Sequence, residues 1–139
     1  MRSFPPRAWL VIGAVLGALA VACGAFGAHV LKGALSKSTI KQELGEQEIA
    51  AKLSNWETAA RYQMYHALAL LAVGFLAARN PTRVADLAGC AFTAGTLIFS
   101  GSLYALVLTG ERWLGAVVPI GGVLLIVGWI IMAIAAARG

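Results

Sequence analysis

The sequence predicts an all-α integral membrane protein, a four-helix bundle with an amphipathic helical arm between the first and second spans. Three observations carry that expectation. Of 139 residues, 60% are hydrophobic and only 12% charged, about half the charge of an ordinary soluble domain. Apolar stretches at about 8–30, 59–78, 84–108 and 114–137 each reach the roughly 20 residues that a helix needs to cross about 30 Å of hydrocarbon. A helix also satisfies its own backbone in lipid, and so little chain lies outside the stretches that residues 1–139 read as a single transmembrane domain.

The first span follows Arg2 and Arg7 and passes through Ala20-Val21-Ala22-Cys23, which resembles a signal-cleavage pattern. The apolar run continues through Gly24-Ala25-Phe26-Gly27-Ala28-His29, so the helix is expected to be retained. Gly13, Gly17, Ala20, Gly24 and Ala28 make a small-residue stripe suited to close helix packing. The stretch at about 32–55 is too polar to span. Ile49, Leu53, Trp56 and Ala60 recur there at helical spacing, and Ser54-Asn55-Trp56-Glu57 fits a capping box. An amphipathic arm, broken from the second span near Ser54, follows.

The second span opens with Gln63 and His66. The third carries Ala85, Gly89, Thr93, Thr96, Ser100 and Tyr104 on one stripe, and the fourth adds Gly121, Gly122 and Gly128 after Pro119. Gly13, Gly17, Gly24, Gly89, Gly121 and Gly122 are the expected packing glycines. Trp9, Trp56 and Trp113 stand near span ends as interfacial anchors. Cys23 and Cys90 lie in separate spans and read as small buried residues rather than a disulfide.

An even number of spans places Arg2, Arg7, Arg79, Arg83 and Arg138 on one side. Lys32, Lys37, Lys41, Lys52, Arg61 and Arg112 fall on the other. The arginines of the first group lie within a few residues of the membrane, whereas the arm spreads its lysines farther away, so both termini are expected in the cytoplasm. The net charge of +5 then reports topology, and no nucleic-acid partner is implied.

That topology brings His29, Tyr62, Gln63, His66, Ser100 and Tyr104 into the outer half of the membrane as a candidate polar pocket. Gln63 and His66, three apart, share a helix face, as do Ser100 and Tyr104, four apart. Polar and ionisable groups in a span point to a functional site by default. Here the group would hold a small molecule, a lipid headgroup or a proton. Its structural counterpart is an interhelical hydrogen-bond lock, worth about 1 kcal/mol per bond. Cys23 and His29 are six apart and face different ways, so no metal site is expected, and no cofactor. Neither a phosphate-binding loop, a nucleophile elbow, paired acids nor CxxC occurs, which favours a non-enzyme. Asp86 reads as a residue neutralising the arginines beside it.

Gly24-Ala25-Phe26-Gly27-Ala28-His29-Val30-Leu31, Trp56-Glu57-Thr58-Ala59, and Tyr62-Gln63-Met64-Tyr65-His66-Ala67-Leu68-Ala69-Leu70 form an ordered series with three later motifs. These are Phe99-Ser100-Gly101-Ser102-Leu103-Tyr104, Leu108-Thr109-Gly110 and Pro119-Ile120-Gly121-Gly122-Val123. Over nearly the whole chain the series resembles domain of unknown function family 423, also called uncharacterised protein family 0382. The stretch from Ser36 to Leu53 is longer than the usual family connection. The resemblance implies a multi-pass protein of the bacterial cytoplasmic (inner) membrane with four helices, related to the transmembrane protein 256 group and retaining its first helix. It implies no activity. Two functions follow: handling of a ligand, headgroup or proton in the pocket, or service as an assembly or accessory subunit of a larger membrane-protein complex. Membrane lipids are the expected partners, with a homo-oligomer or larger complex as the protein-level alternative.

A cysteine placed at Asn80 is expected to label only from the cytoplasmic side, and one at Lys41 only from outside. The reverse labelling would invert the topology.

Overall fold

Residues 4–138 are described by a computed structural model, so Arg2 of the orientation argument lies outside the described residues. Among the described residues every regular element is a helix. Helix α1, Pro6–Phe26, starts with proline in its first turn, where the missing N–H costs nothing. It runs without a break through a π-helical turn, Gly27–Leu31, into the short α2, Lys32–Leu35. Helix α3 is Ser38–Leu44, α4 is Glu46–Arg79, α5 is Arg83–Thr109 and α6 is Leu114–Ala137.

The break expected near Ser54 lies instead at Gly45, where φ is 77° and ψ 159°, a conformation that only glycine adopts cheaply. Ser54 sits in mid-helix. Glu57 does not turn back to cap it but pairs with Arg61 one turn ahead, so the last part of the arm, from Glu46, and the expected second span are one 34-residue helix. Such a helix is about 51 Å long, against about 30 Å of hydrocarbon. Its charged first third must therefore project from any bilayer that α4 crosses. Lys41 Nζ and Glu46 Oε1, 2.6 Å apart, bridge the Gly45 corner, and the ammonium holds the Glu46 carboxyl below its usual pKa.

Three stretches are long and apolar enough to cross a membrane: Pro6–Leu35, Arg83–Thr109 and Leu114–Ala137. The apolar part of α4 carries Arg61, Gln63 and His66 at its start and is not among them. Yet α4 packs between α1 and α5, and its Ala59, Leu70 and Val73 are fully buried. Helix α6 packs along α5 with only a minor contact to α4. The helices thus form an array ordered α1, α4, α5, α6, without extensive contact between α1 and α6 among the described residues. Trp9, Leu16, Leu70, Val73, Phe92 and Leu125 make the main core. A smaller cluster of Leu31, Trp56 and Val107 lies at the arm end.

Glycines set the distances between neighbours. A Cβ on Gly13 would lie 2.8 Å from the Ala67 carbonyl oxygen, and one on Gly121 would lie 2.8 Å from Phe99 Cα, so backbones meet at both points. Gly89 makes room for the Trp9 ring, while Gly74, Gly95 and Gly128 give equally close approaches to Leu10, Leu125 and Phe92. Gly17 and Gly122 have ordinary contacts at 3.8 Å. Gly24 is different from what its stripe suggests: a Cβ there meets nothing within 4 Å.

Two further expectations are corrected. Trp9 and Trp56 are not interfacial anchors but buried residues, 3% and 6% exposed, because each indole N–H reaches an acceptor on another helix. Trp113 is exposed. Cys90 is exposed too, on the outward stripe of α5 with Leu87, Ala94 and Leu97; Cys23 is half-buried and both thiols are free.

Gly121→Ala is expected to lower stability by about 1–3 kcal/mol through overpacking against the Phe99 backbone. Gly24→Ala should be neutral or stabilising by up to about 1 kcal/mol from helix propensity. Thermal unfolding in one detergent compares the two; equal losses would contradict this packing.

Candidate functional site

Gln63, only 5% exposed, projects from α4 toward α1 and α5. Its Nε2 donates to the Leu16 carbonyl of α1 at 2.9 Å, and its Oε1 accepts from the Tyr104 hydroxyl of α5 at 3.0 Å. One turn away, Ser100 Oγ donates to the Ala59 carbonyl at 2.8 Å. The Tyr104 ring packs 4.6 Å from the ring of Trp56, whose Nε1 donates to the Cys23 carbonyl at 2.7 Å. Each bond joins different helices, and both ends of the Gln63 amide are engaged. A cavity of about 220 Å³ lies beside them, lined by Leu16, Cys23, Gln63, Thr96, Ser100 and Tyr104. The Thr96 hydroxyl is buried without a hydrogen-bond partner.

His66 turns another way. Its Nδ1 lies 2.7 Å from the Tyr62 carbonyl one turn back, and its Nε2 lies 3.3 Å from Trp129 Nε1 on α6. A carbonyl only accepts and an indole N–H only donates, so the two contacts select a neutral imidazole with its proton on Nδ1. The ring stands 5.7 Å from Phe92 and 6.2 Å from Trp129. Tyr62 does not join the amide cluster; it stacks on Phe99 at 4.8 Å. Together Tyr62, Tyr65, His66, Phe99, Leu125 and Trp129 line an open groove of about 520 Å³ between α4, α5 and α6. This groove is apolar apart from the tyrosines and the His66–Trp129 pair.

The single pocket expected from the sequence is thus two neighbouring sites. Gln63, Ser100 and Tyr104 meet at the junction of α1, α4 and α5. His66 and Tyr62 face the groove toward α6, and His29 is exposed in the π turn, apart from both. Trp129 is the partner that sequence reasoning missed. Its place in mid-span was the available signal, since an indole N–H in an apolar medium requires an acceptor.

Asp86 also has a different role from the one its arginine neighbours suggest. Its Oδ1 accepts from Trp9 Nε1 and its Oδ2 from the Phe4 backbone N–H, both at 2.9 Å, which fastens the start of α1 to the start of α5. The carboxylate sits in the first turn of α5, where the helix dipole favours it. At the opposite end, Lys52 Nζ donates to the Val107 carbonyl at 3.1 Å, in the last turn of α5. Among the described residues no three His, Cys, Asp or Glu side chains gather as a metal site.

Comparison with known proteins agrees with the motifs. Residues 23–122 match the family described as "Protein of unknown function (DUF423)". The chain is 44% identical to the UPF0382 membrane protein SAB0533 of Staphylococcus aureus, over 93% of this chain and 94% of that protein. It is 42% identical to the UPF0382 membrane protein SERP0230 of Staphylococcus epidermidis over 95% and 97% of the two chains. The UPF0382 membrane protein YwdK of Bacillus subtilis is 38% identical over 95% and 98%. No solved structure matches the chain. With the helices, the motifs and these relatives in agreement, the chain belongs to the UPF0382 membrane proteins, the family of unknown function DUF423.

Proposed function

We propose that this protein is a four-span protein of the bacterial inner membrane, with both termini cytoplasmic, that holds an amphipathic small molecule or lipid in the groove beside His66. The observation that supports the reading most is the division of the polar residues. Gln63, Ser100 and Tyr104 are engaged in bonds between helices at one junction, whereas His66, paired with Tyr62 and Trp129, lines a separate groove of about 520 Å³. The groove offers an apolar wall and one oriented polar pair, the usual composition of a small-molecule site. A largely apolar partner fits it, with any polar head met by the Tyr62 and Tyr65 hydroxyls, since both His66 nitrogens and the Trp129 N–H already have partners. Helix α4 serves as the fourth span because α1, α5 and α6 cover Gln63 and His66, which relieves the cost of holding them in hydrocarbon.

A second reading, an assembly or accessory subunit, draws on α6. That helix buries only Gly121, Leu125, Gly128 and Ala135 among the described residues, leaving its other faces for lipid or another protein.

His66→Gln keeps an acceptor for Trp129 but removes the aromatic ring that lines the groove. Retention of bound lipid or small molecule, read by mass spectrometry of the purified protein, is expected to fall about tenfold for an affinity loss of about 1.4 kcal/mol, with the thermal midpoint nearly unchanged. Gln63→Leu should behave in the opposite manner, losing about 1–2 kcal/mol of stability for its two interhelical bonds while retaining the ligand. Wild-type retention in His66→Gln, together with a stoichiometric co-purifying membrane protein, would favour the subunit reading instead.

A further inference from the structure

A second crevice, on the opposite side of α4, lies between the end of α1 with its π turn and the arm end of α4. It measures about 290 Å³ and is lined by Gly24, Gly27, Ala28, Lys32, Leu53, Trp56, Glu57 and Ala60. We infer that this crevice holds the upper acyl chain of an anionic glycerophospholipid, with the lipid phosphate at Lys32. Gly27 is needed for packing, since a Cβ there would lie 2.7 Å from Trp56 Nε1. Gly24 is not. Nothing lies within 4 Å of a Cβ on it, and it lines the crevice, so its lack of a side chain leaves the trough open rather than bringing two helices together.

Length and charge select the occupant. From Gly24 to Lys32 the helix rises roughly 12 Å, passing from the apolar run to its first charged residue. A volume of about 290 Å³ spread over that rise admits one extended chain and excludes a partner helix, which is about 10 Å wide. The Glu57 carboxylate at the rim is engaged by Arg61. Lys32 is exposed and has no side-chain partner among the described residues. Lys32 carries a charge of +1 at the arm end of the crevice, complementary to a headgroup with one negative charge. The Trp56 ring walls the trough, its own N–H already taken by the Cys23 carbonyl, so it presents carbon to the chain. A π turn, an arrangement frequent at functional sites, widens the helix at this level.

The full-length protein in detergent, offered equal dioleoyl phosphatidylglycerol and dioleoyl phosphatidylcholine, tests the assignment by native mass spectrometry. One phosphatidylglycerol is expected to be retained preferentially, and Lys32→Gln should reduce the preference about fivefold, the effect of one basic residue at a membrane surface. Gly24→Leu, which adds a side chain into the trough at a position where a Cβ meets nothing within 4 Å, should reduce retention of both lipids. Lys37→Gln, which removes an exposed lysine that does not line the crevice, should leave the preference unchanged. Equal retention of the two lipids by the wild type, or an unaltered preference in Lys32→Gln, would overturn the proposal. Lys32 is exposed, so its replacement decides the matter even if Gly24→Leu proves unstable.

Discussion

The array depends on Gln63, a buried amide whose partners both lie on other helices. Its N–H reaches the backbone of α1 at Leu16 and its carbonyl receives the hydroxyl of Tyr104 on α5. A carboxamide unpaired in an apolar interior costs several kcal/mol in the absence of compensating bonds. That penalty excludes arrangements in which α4 faces lipid with this surface. The middle position of α4, between α1 and α5, is a consequence of satisfying one side chain in both directions.

The same requirement explains the tryptophans. Trp9, Trp56 and Trp129 each donate an indole N–H across a helix contact, to Asp86, the Cys23 carbonyl and His66. These three bonds lie at the start of α1, at the arm end of α1 and on α6. Dispersion between apolar side chains gives little preference between protein and lipid, so polar pairs and close backbone approaches decide which helices associate. Gly13 against Ala67 and Gly121 against Phe99 supply the approaches, and the indoles and Gln63 supply the pairs. Helix α5 is held at both ends, through Asp86 and through the Lys52 bond to Val107.

Holding α5 fixed has a bearing on the two sites. The His66 groove is formed by α4, α5 and α6, and the Lys32 crevice by α1 and the arm end of α4. Neither uses the Gln63 junction, which lies between them. The groove and the crevice on opposite flanks of α4 are therefore separated by the interhelical bonds of Gln63. The orphaned Thr96 hydroxyl, beside the small cavity at that junction, is the one fully buried side-chain N or O atom among the described residues without a hydrogen-bond partner.

The all-helical class was legible in the sequence because apolar length and scarcity of charge are local properties. So was the importance of Gln63 and His66, since a polar residue in an apolar run requires explanation wherever it points. The helix break was misread near Ser54 because a capping box is also compatible with a continuing helix. The chain chose Gly45, where backbone freedom is greatest, and Glu57 chose Arg61. Only the tertiary structure separated His66 from Gln63: spacing of three residues places both on one broad face, but that face meets α1 and α5 on one side and α6 on the other. Sequence determined which residues could not be left to lipid. Their partners, and hence the division into a junction and a groove, depend on contacts between residues far apart in the chain, such as His66 and Trp129, which no local pattern encodes.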